Sequence, residues 1–331
     1  MKKAIITGIT GQDGAFLARF LLEKGYNVYG TYRQKTTNNF HNLEKFNIKD
    51  KINLVEVDID DVASIINLLQ TVKPDEFYNL AALSFVGASW THPINYCKTN
   101  ALAVVNMLEA IRLTDKSIKY YQASTSELFG SSPAPQNENT PFKPNSPYAT
   151  AKLYAHWIVN NYRDSFGIFA CSGILMNHES EIRGHEFLTQ KVVKSVVEIM
   201  RGTLDCLEIG NMYAKRDWGY AGDFVEAMWL MLQQDKPDNY VIATGETHTV
   251  KEFITECFNR FGVNLKWQGE GLNEIGLDGD RIVVKVNPQF YRPNEVNVLQ
   301  GDYTKAKQVL GWQPKVYFNE LIEIMLKDAV K

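Results

Sequence analysis

Four residues in two short runs have the types and spacing for proton transfer at a carbinol. QASTSELFG, residues 122–130, holds Thr125 and Glu127; SPYATAK, residues 146–152, holds Tyr148 and Lys152. Tyr148 and Lys152 are four apart, so on a helix they share one face. An ammonium beside a phenol lowers the phenol's pKa and makes phenolate available as a base. Thr125, at the exit of an expected strand, is placed for its hydroxyl to reach a substrate oxygen. That set already suffices to oxidise or reduce an alcohol carbon, and Glu127 is left over. The plain reading of Glu127 is a helix-start carboxylate favoured by the helix dipole; the chemical reading is a second acid–base group. A tyrosine and lysine four apart also occur by chance on surface helices, so the set needs a scaffold that brings it to a cofactor.

The elements around the two runs supply such a scaffold. KAIITG reads as a buried strand, and DGAFLARFLLEKG as a helix with Phe16, Leu17, Phe20 and Leu21 on one face, ending at Gly25. NVYGTY and INLVEVDI are the next strands, VASIINLLQTV a helix stopped at Pro74, and EFYNLAA a fourth strand. NALAVVNMLEAIRL is a long helix and IKYYQAS a fifth strand; GIFACSGIL and NYVIATG are two more, and a last helix lies near residues 317–329. This alternation predicts a parallel sheet with helices on both faces, an α/β Rossmann-like doubly wound fold. The less regular second half is expected to form a smaller interleaved α/β lobe. The expected division is 1–178 with 213–246 for the cofactor domain, and 179–212 with 247–331 for the lobe, ligand lying between them.

The turn TGITGQDG places Gly8, Gly11 and Gly14 after the first strand and at the mouth of the first helix. Glycine lets the backbone approach a pyrophosphate resting on the helix N-terminus, with Thr10, Gln12 and Asp13 in the same turn. The motif alone is weak; its strand–turn–helix context points to a dinucleotide. An acid at the end of the second strand would take the ribose 2′-OH of NAD, but Arg33 stands there, within YRQKTT, and a cation suits the 2′-phosphate of NADP. The plain alternative for Arg33 is a solvated basic loop. Asp58, with Ile59 beside it after the third strand, is placed for the adenine amino group. Leu80, Ala81, Ala82 and Ser84, after the fourth strand, are expected to run beneath the cofactor.

The 331 residues are 45% hydrophobic and 22% charged, with net charge −3, which reads as a soluble globular chain and implies no nucleic-acid surface. No apolar run is long enough for a bilayer. The start, MKKAIITGITG, lacks the pattern of a signal peptide. Cys97, Cys171, Cys206 and Cys257 are far apart, without CxxC or metal spacing, and read as reduced thiols in a cytoplasmic protein. The six histidines form no ligand motif.

GITGQDG, QASTSELFG, SPYATAK, GILMNHES, AKRDWGYAGDFVEAMWLMLQ, YVIATGETHTV, FYRPNEV and LGWQP span nearly the whole chain. On these runs the sequence resembles the extended short-chain dehydrogenase/reductases and, within them, the GDP-mannose 4,6-dehydratases; NHES and RDWG are highly specific to the latter. The resemblance implies a hydro-lyase acting on a GDP-sugar with NADP retained through the cycle, in a homodimer or homotetramer paired through the Tyr148–Lys152 helix. It also gives Glu127 a chemical role. Once C4 of the sugar is a ketone, the C5 proton is acidic, and a carboxylate can remove it and protonate the departing C6 hydroxyl. Ser126 stands where some related dehydratases place an acid, which implies help to the leaving group. The resemblance further implies cofactor contacts for His178 and Arg183. It places Asn177, Lys191, Arg216 and Arg292 near the diphosphate, Glu295 near a ribose hydroxyl or base, and Ser84, Thr125 and Glu127 near the sugar. A histidine in an apolar setting is otherwise more often a structural hydrogen-bonder, and each cation otherwise reads as a surface ion pair.

The chain departs from the family pattern in places. NHESPRRG is NHESEIRG here, with Glu181 and Ile182; AAQS is AALS, with Leu83; PRSPYA is PNSPYA, with Asn145; and paired arginines after the second strand become Arg33 and Gln34. These changes leave open a related GDP-sugar such as a GDP-manno-heptose. An NADP-dependent nucleotide-sugar epimerase or reductase is the other enzymatic reading, though neither needs Glu127. A catalytically silent NADP-binding redox sensor is a third, and it has no reason to keep Tyr148 and Lys152.

Overall fold

A computed structural model describes residues 1–33, 39–291 and 294–331. The chain opens with β1 (Lys3–Thr7), α1 (Gln12–Glu23), β2 (Asn27–Tyr32), the short α2 (His41–Lys45), β3 (Asn53–Glu56), α3 (Val62–Val72) and β4 (Glu76–Asn79). α4 (Pro93–Cys97) passes through a π-helical turn, Lys98–Leu102, into α5 (Ala103–Thr114). β5 (Lys119–Ala123), α6 (Pro147–Phe166), β6 (Ala170–Leu175) and β7 (Asn177–Glu179) follow. The sequence segments named above fall on these elements; the chief difference is β3, a short edge strand ending at Glu56 rather than near residue 59.

Local chemistry fixes the ends that matter. Lys73, at φ 50°, ends α3 just before Pro74. Ser146 caps α6 by accepting from the Ala149 N–H at 3.1 Å, and Pro147 occupies the first helical position. Tyr148 therefore falls in the first turn of α6 and Lys152 one turn on. Gly167, at φ 70°, closes the helix.

The rest of the chain runs through α7 (Leu188–Met200), β8 (Leu207–Ile209), β9 (Lys215–Arg216), β10 (Trp218–Tyr220), α8 (Ala221–Leu232) and β11 (Asn239–Ile242). It ends with β12 (His248–Thr249), α9 (Val250–Asn259), β13 (Lys266–Gln268), β14 (Ile275–Asp278), β15 (Arg281–Val286) and α10 (Phe318–Ala329). The seven-stranded sheet has the order β11-β6-β5-β4-β1-β2-β3, all parallel, as the alternating pattern requires. Its two faces bury separate cores, one against α1 and α8, the other against α3, α5 and α6. A third core lies among α7, α9, α10 and a four-stranded sheet, β13-β14-β15-β8, which the sequence reading did not resolve. Residues Ala306, Leu310 and Trp312 return to the first core. No helix among the described residues is long and apolar enough to cross a membrane.

The strand order reverses between β1 and β4. In open α/β sheets the crevice beyond the carboxyl ends of the strands at such a point is where ligands bind. A buried side-chain ladder holds that edge. Thr7 Oγ1 donates to Asn79 Oδ1 at 2.6 Å, and Asn79 Nδ2 donates to Gln122 Oε1 at 2.9 Å. The Leu80 and Ala81 amides both donate to Thr7 Oγ1 at 3.2 Å, which pins the β4 exit against the β1 exit.

Candidate active site

A cleft of about 670 Å³ opens at this crevice. Gly8, Thr10, Gly11, Gln12, Asp13 and Gly14 form its floor, with Leu80, Ala82 and Ser84 beside them. Two glycines are sterically required. A Cβ on Gly8, whose φ is +70°, would lie 2.9 Å from the Ala81 backbone; one on Gly14 would lie 2.4 Å from the Gly8 carbonyl oxygen. Ala81 itself packs under the turn and is not part of the cleft lining. Gly8, Gly11 and Gly14 thus add no side chain at the mouth of α1, whose first turn lines the cleft, a cradle suited to a diphosphate.

Asp13 introduces a negative charge into that cradle, and the protein neutralises it. His178 Nε2 lies 2.8 Å from Asp13 Oδ2, and His178 Nδ1 lies 2.9 Å from the Met176 carbonyl oxygen. Burial alone would raise Asp13, but the imidazole more than offsets it and holds the carboxyl down to about 2. Burial likewise lowers His178, and Asp13 outweighs it, so the imidazole is raised above its ordinary value. Gln12 Nε2 donates to the His178 carbonyl at 3.1 Å, and Ser180 Oγ donates to Gln12 Oε1 at 2.7 Å. The glycine turn and the β7 segment are therefore one clamped unit, a role for Gln12 and Ser180 that no local motif signals.

The chemistry-bearing residues converge on the same cleft. Thr125, Ser126, Glu127, Tyr148 and Lys152 are all buried and all line it. Thr125 Oγ1 accepts from the Glu127 amide at 3.2 Å, which starts the 3₁₀ turn Ser126–Leu128 and sets where Glu127 emerges. Tyr148 and Lys152 are both buried on α6, one turn apart. Burial pushes the phenol up to about 12, opposed in part by the Thr125 hydroxyl and augmented by the Glu127 charge. Lys152 lies one turn further along α6 and lines the same cleft. Its ammonium donates to the Ala123 carbonyl at 3.0 Å, and burial, opposed by Asp13, lowers it to about 8. With one of its three donors the lysine thus also anchors the strand exit that leads to Thr125.

The opposite wall carries the cations. Arg183 Nε lies 3.0 Å from Glu179 Oε2, and the guanidinium sits 3.5 Å from the centre of the Phe187 ring. Thr189 Oγ1 donates to the same Glu179 oxygen at 2.6 Å. Arg216 is buried, with Nη1 donating to the Lys215 carbonyl at 2.9 Å and Nη2 to Glu295 Oε1 at 3.2 Å. Glu295 is thus engaged by a protein cation rather than held open for a hydroxyl alone. Lys191 Nζ donates to the Glu208 carbonyl at 2.8 Å and lies 3.8 Å from the Phe290 ring centre; burial lowers its pKa. Asn177 lines the cleft, and its Oδ1 is buried without a hydrogen-bond partner among the described residues. Glu179, Phe187, Thr189 and Phe290 line the cleft and were not singled out from sequence.

Other expected site residues stand apart. Arg33 and Asp58 are exposed and Ile59 half-buried, and none lines this cleft. Arg292 lies outside the described residues. Of the departures from the family pattern, Ile182 is buried in the first core, the Glu181 carboxylate lies 3.5 Å from the Tyr220 hydroxyl that donates to it, and Leu83 is partly exposed with its amide held by Asn100 at 2.9 Å. No group of three or more His, Cys, Asp or Glu side chains suited to a metal occurs among the described residues.

Solved structures share the fold. UDP-glucose 4-epimerase from Thermus thermophilus, solved with NAD, superposes with a TM-score of 0.82 at 23% identity, over 99% of this chain and 98% of that one. dTDP-glucose 4,6-dehydratase from Bacillus anthracis, solved with NAD, gives a TM-score of 0.82 at 19% identity, covering 99% and 96%. Sequence relatives are closer. GDP-mannose 4,6 dehydratase of Drosophila melanogaster is 47% identical over 341 aligned positions, covering 100% of this chain and 86% of the relative. The Homo sapiens enzyme of that name is 46% identical, covering 99% and 91%, and the Vibrio cholerae enzyme 44%, covering 100% and 94%. The family model described as GDP-mannose 4,6 dehydratase matches residues 5–325, and with the glycine turn, Thr125, Glu127, Tyr148 and Lys152 around one cleft, this chain belongs to the GDP-mannose 4,6-dehydratase family.

Proposed function

We propose that the chain is an NADP-dependent hydro-lyase that converts GDP-mannose to GDP-4-keto-6-deoxy-mannose and water. The observation that carries this reading is Glu127, a buried carboxylate in the same cleft as Thr125, Tyr148 and Lys152. What a nicotinamide supplies when bound is reversible hydride chemistry, out at C4 of the sugar and back at C6. Tyr148 takes the proton of the 4-hydroxyl as C4 is oxidised, and Thr125 orients that oxygen. Lys152, held at the Ala123 carbonyl, keeps positive charge near the phenolate as it forms. With C4 a ketone, Glu127 removes the acidic C5 proton and delivers it to the C6 hydroxyl, which leaves as water, with Ser126 beside the leaving group. A proton from solvent completes C5, so the sequence is redox-neutral. The phenol and the carboxylate act on adjacent carbons, and a dehydratase needs both where an epimerase needs one.

The glycine cradle supports a dinucleotide, with residues 1–178 and 213–246 as the cofactor half and 179–212 with 247–331 as the sugar-nucleotide half. Arg33, at the end of β2 where an acid would favour NAD, supports NADP. On the far wall Lys191, Arg216 and Asn177 suit a GDP diphosphate and its hydroxyls. α6 and α4 leave Trp157 53% and Ile94 70% exposed, which supports pairing of two copies through these helices. Light scattering that finds only monomer at working concentration removes the pairing. The functional test is incubation with a panel of nucleotide sugars and mass detection of water loss. Loss of 18 Da from GDP-mannose, about the mass of one water, without net consumption of NADP is expected; inversion without water loss, or stoichiometric NADPH consumption, overturns the reading.

A further inference from the structure

α6 carries more polar residues on its buried side than Tyr148 and Lys152. His156 and Asn160 continue the same four-residue step, and both are buried. They belong to a side-chain chain that ends in the cleft. Arg163 Nη1 donates to Asn239 Oδ1 at 3.2 Å, and Arg163 Nη2 donates to Asn160 Oδ1 at 2.9 Å. Asn239 Nδ2 donates to Asn160 Oδ1 at 3.0 Å and lies 3.5 Å from His156 Nε2. His156 Nδ1 lies 3.3 Å from Ser124 Oγ, and Ser124 lines the cleft immediately before Thr125.

The direction of every bond in this chain follows from one fact: a guanidinium only donates. Arg163 therefore fixes the Asn239 oxygen toward itself and the Asn239 amide nitrogen toward the histidine. An amide N–H facing Nε2 requires Nε2 to be the acceptor. The ring proton must then sit on Nδ1 and be donated to Ser124 Oγ. Ser124, with an oxygen lone pair so occupied, keeps its own hydroxyl hydrogen for the cleft. The ring is neutral throughout, since burial, reinforced by the Arg163 charge, lowers it to about 4. Phe142 covers the ring edge-on at 5.1 Å and shields the chain from water.

We infer that His156 is a positioning residue for the catalytic turn, locked by Arg163 and Asn239 in its Nδ1–H tautomer so that it holds Ser124 as a hydroxyl donor into the cleft beside Thr125 and Glu127. Lys152 grips the Ala123 carbonyl and the Ser124 amide donates to the Gly173 carbonyl at 2.9 Å. His156 adds the side-chain restraint, so one face of α6 both supplies two catalytic groups and aims the turn that supplies the others. The reading rests on the proposed dehydration for its kinetic consequences, but the tautomer is measurable without turnover.

Two measurements test it. In protein labelled with ¹⁵N-histidine, the His156 ring, identified by its loss in His156→Asn, is expected to show a protonated Nδ1 and an unprotonated Nε2; the opposite tautomer overturns the inference. In kinetics, Asn at 156 puts an amide N–H where Nδ1–H was, whereas Gln reaches the Nε2 end, where its oxygen can accept from Asn239 but no N–H is left for Ser124. His156→Gln is expected to lower kcat about tenfold, the worth of one neutral hydrogen bond, with KM for GDP-mannose unchanged, and His156→Asn to recover most of it. Ser124→Ala is expected to lose the same factor, with no further loss in Ser124→Ala combined with His156→Gln. Equal kcat for the Asn and Gln variants, or additive losses in the double variant, overturns it. If the wild type turns over no GDP-mannose, the proposed reaction fails, and the tautomer result still decides the inference.

Discussion

The two walls of the cleft are built differently. On the strand-end wall, Gly8–Gly14, Thr125–Glu127 and Tyr148–Lys152 come from short contiguous runs whose backbone is dictated locally, by glycine turns, a Ser–Pro helix start and a 3₁₀ cap. On the far wall, Arg183, Lys191 and Arg216 come from separate elements, and each is held by an acid or carbonyl of the protein. In the proposed reaction the first wall presents groups at the reacting atoms. The second presents pre-paired cations, whose worth is in holding an anion in register. Chemistry should therefore fail when the first wall is altered, and binding when the second is.

The largest expected effect is on the strand-end wall. Tyr148→Phe removes the base for C4 oxidation and is expected to lower kcat about a thousandfold, with KM for GDP-mannose changed only a few-fold, measured by initial rates. A variant that loses binding rather than rate breaks the division between the walls.

Lys152→Met sharpens the comparison by separating function from stability. The Lys152 ammonium falls from an ordinary 10.5 to about 8 on folding, so the folded state disfavours the proton. Below pH 8 the buried charge costs stability; as pH rises from 8 to 10.5 the unfolded state binds more protons than the folded one, and stability rises. Turnover should fall in Lys152→Met, by less than in Tyr148→Phe, yet at pH 7 the variant should be more stable than wild type, by up to about 3 kcal/mol. That gap should close toward pH 10. The Ala123 carbonyl stays satisfied, because Gln122 Nε2 also donates to it at 2.9 Å. Thermal unfolding across this range checks the sign.

On the far wall, Arg216→Gln is expected to raise KM for GDP-mannose about tenfold to a hundredfold, the scale of a charged hydrogen bond, with kcat nearly intact. A drop in kcat at unchanged KM would mean that this wall also shapes the transition state. The smallest effect belongs to Arg33, outside the cleft lining. Arg33→Ala is expected to weaken NADP binding about tenfold and leave NAD binding unchanged, read by calorimetry; equal losses for both would remove its 2′-phosphate role.

The same contrast explains what could be read in the sequence. The strand-end wall was legible because each device is local: Gly14 is forced by the Gly8 carbonyl a few residues away, and Tyr148 falls in the first turn because Ser146 and Pro147 start the helix there. The far wall was legible only through family resemblance. Arg216 meets Glu295 across 79 residues, and β8 pairs with β15 between Leu207 and Val284, distances no periodicity reports. Spacing gives Tyr148 and Lys152 a shared helix face, but not the hydrogen bond by which the ammonium also holds the Ala123 carbonyl. His156 passed unnoticed for a related reason: its partners Ser124 and Asn239 lie 32 and 83 residues away.

In the proposed reaction Glu127 is the group an epimerase does not need, and its proton can be followed directly. With GDP-mannose in D₂O, the wild type is expected to give product carrying deuterium at C5, located by NMR and mass, and Glu127→Gln to give it about a thousandfold more slowly. C5-deuterated 4-keto-6-deoxy product formed by Glu127→Gln at the wild-type rate would contradict the account.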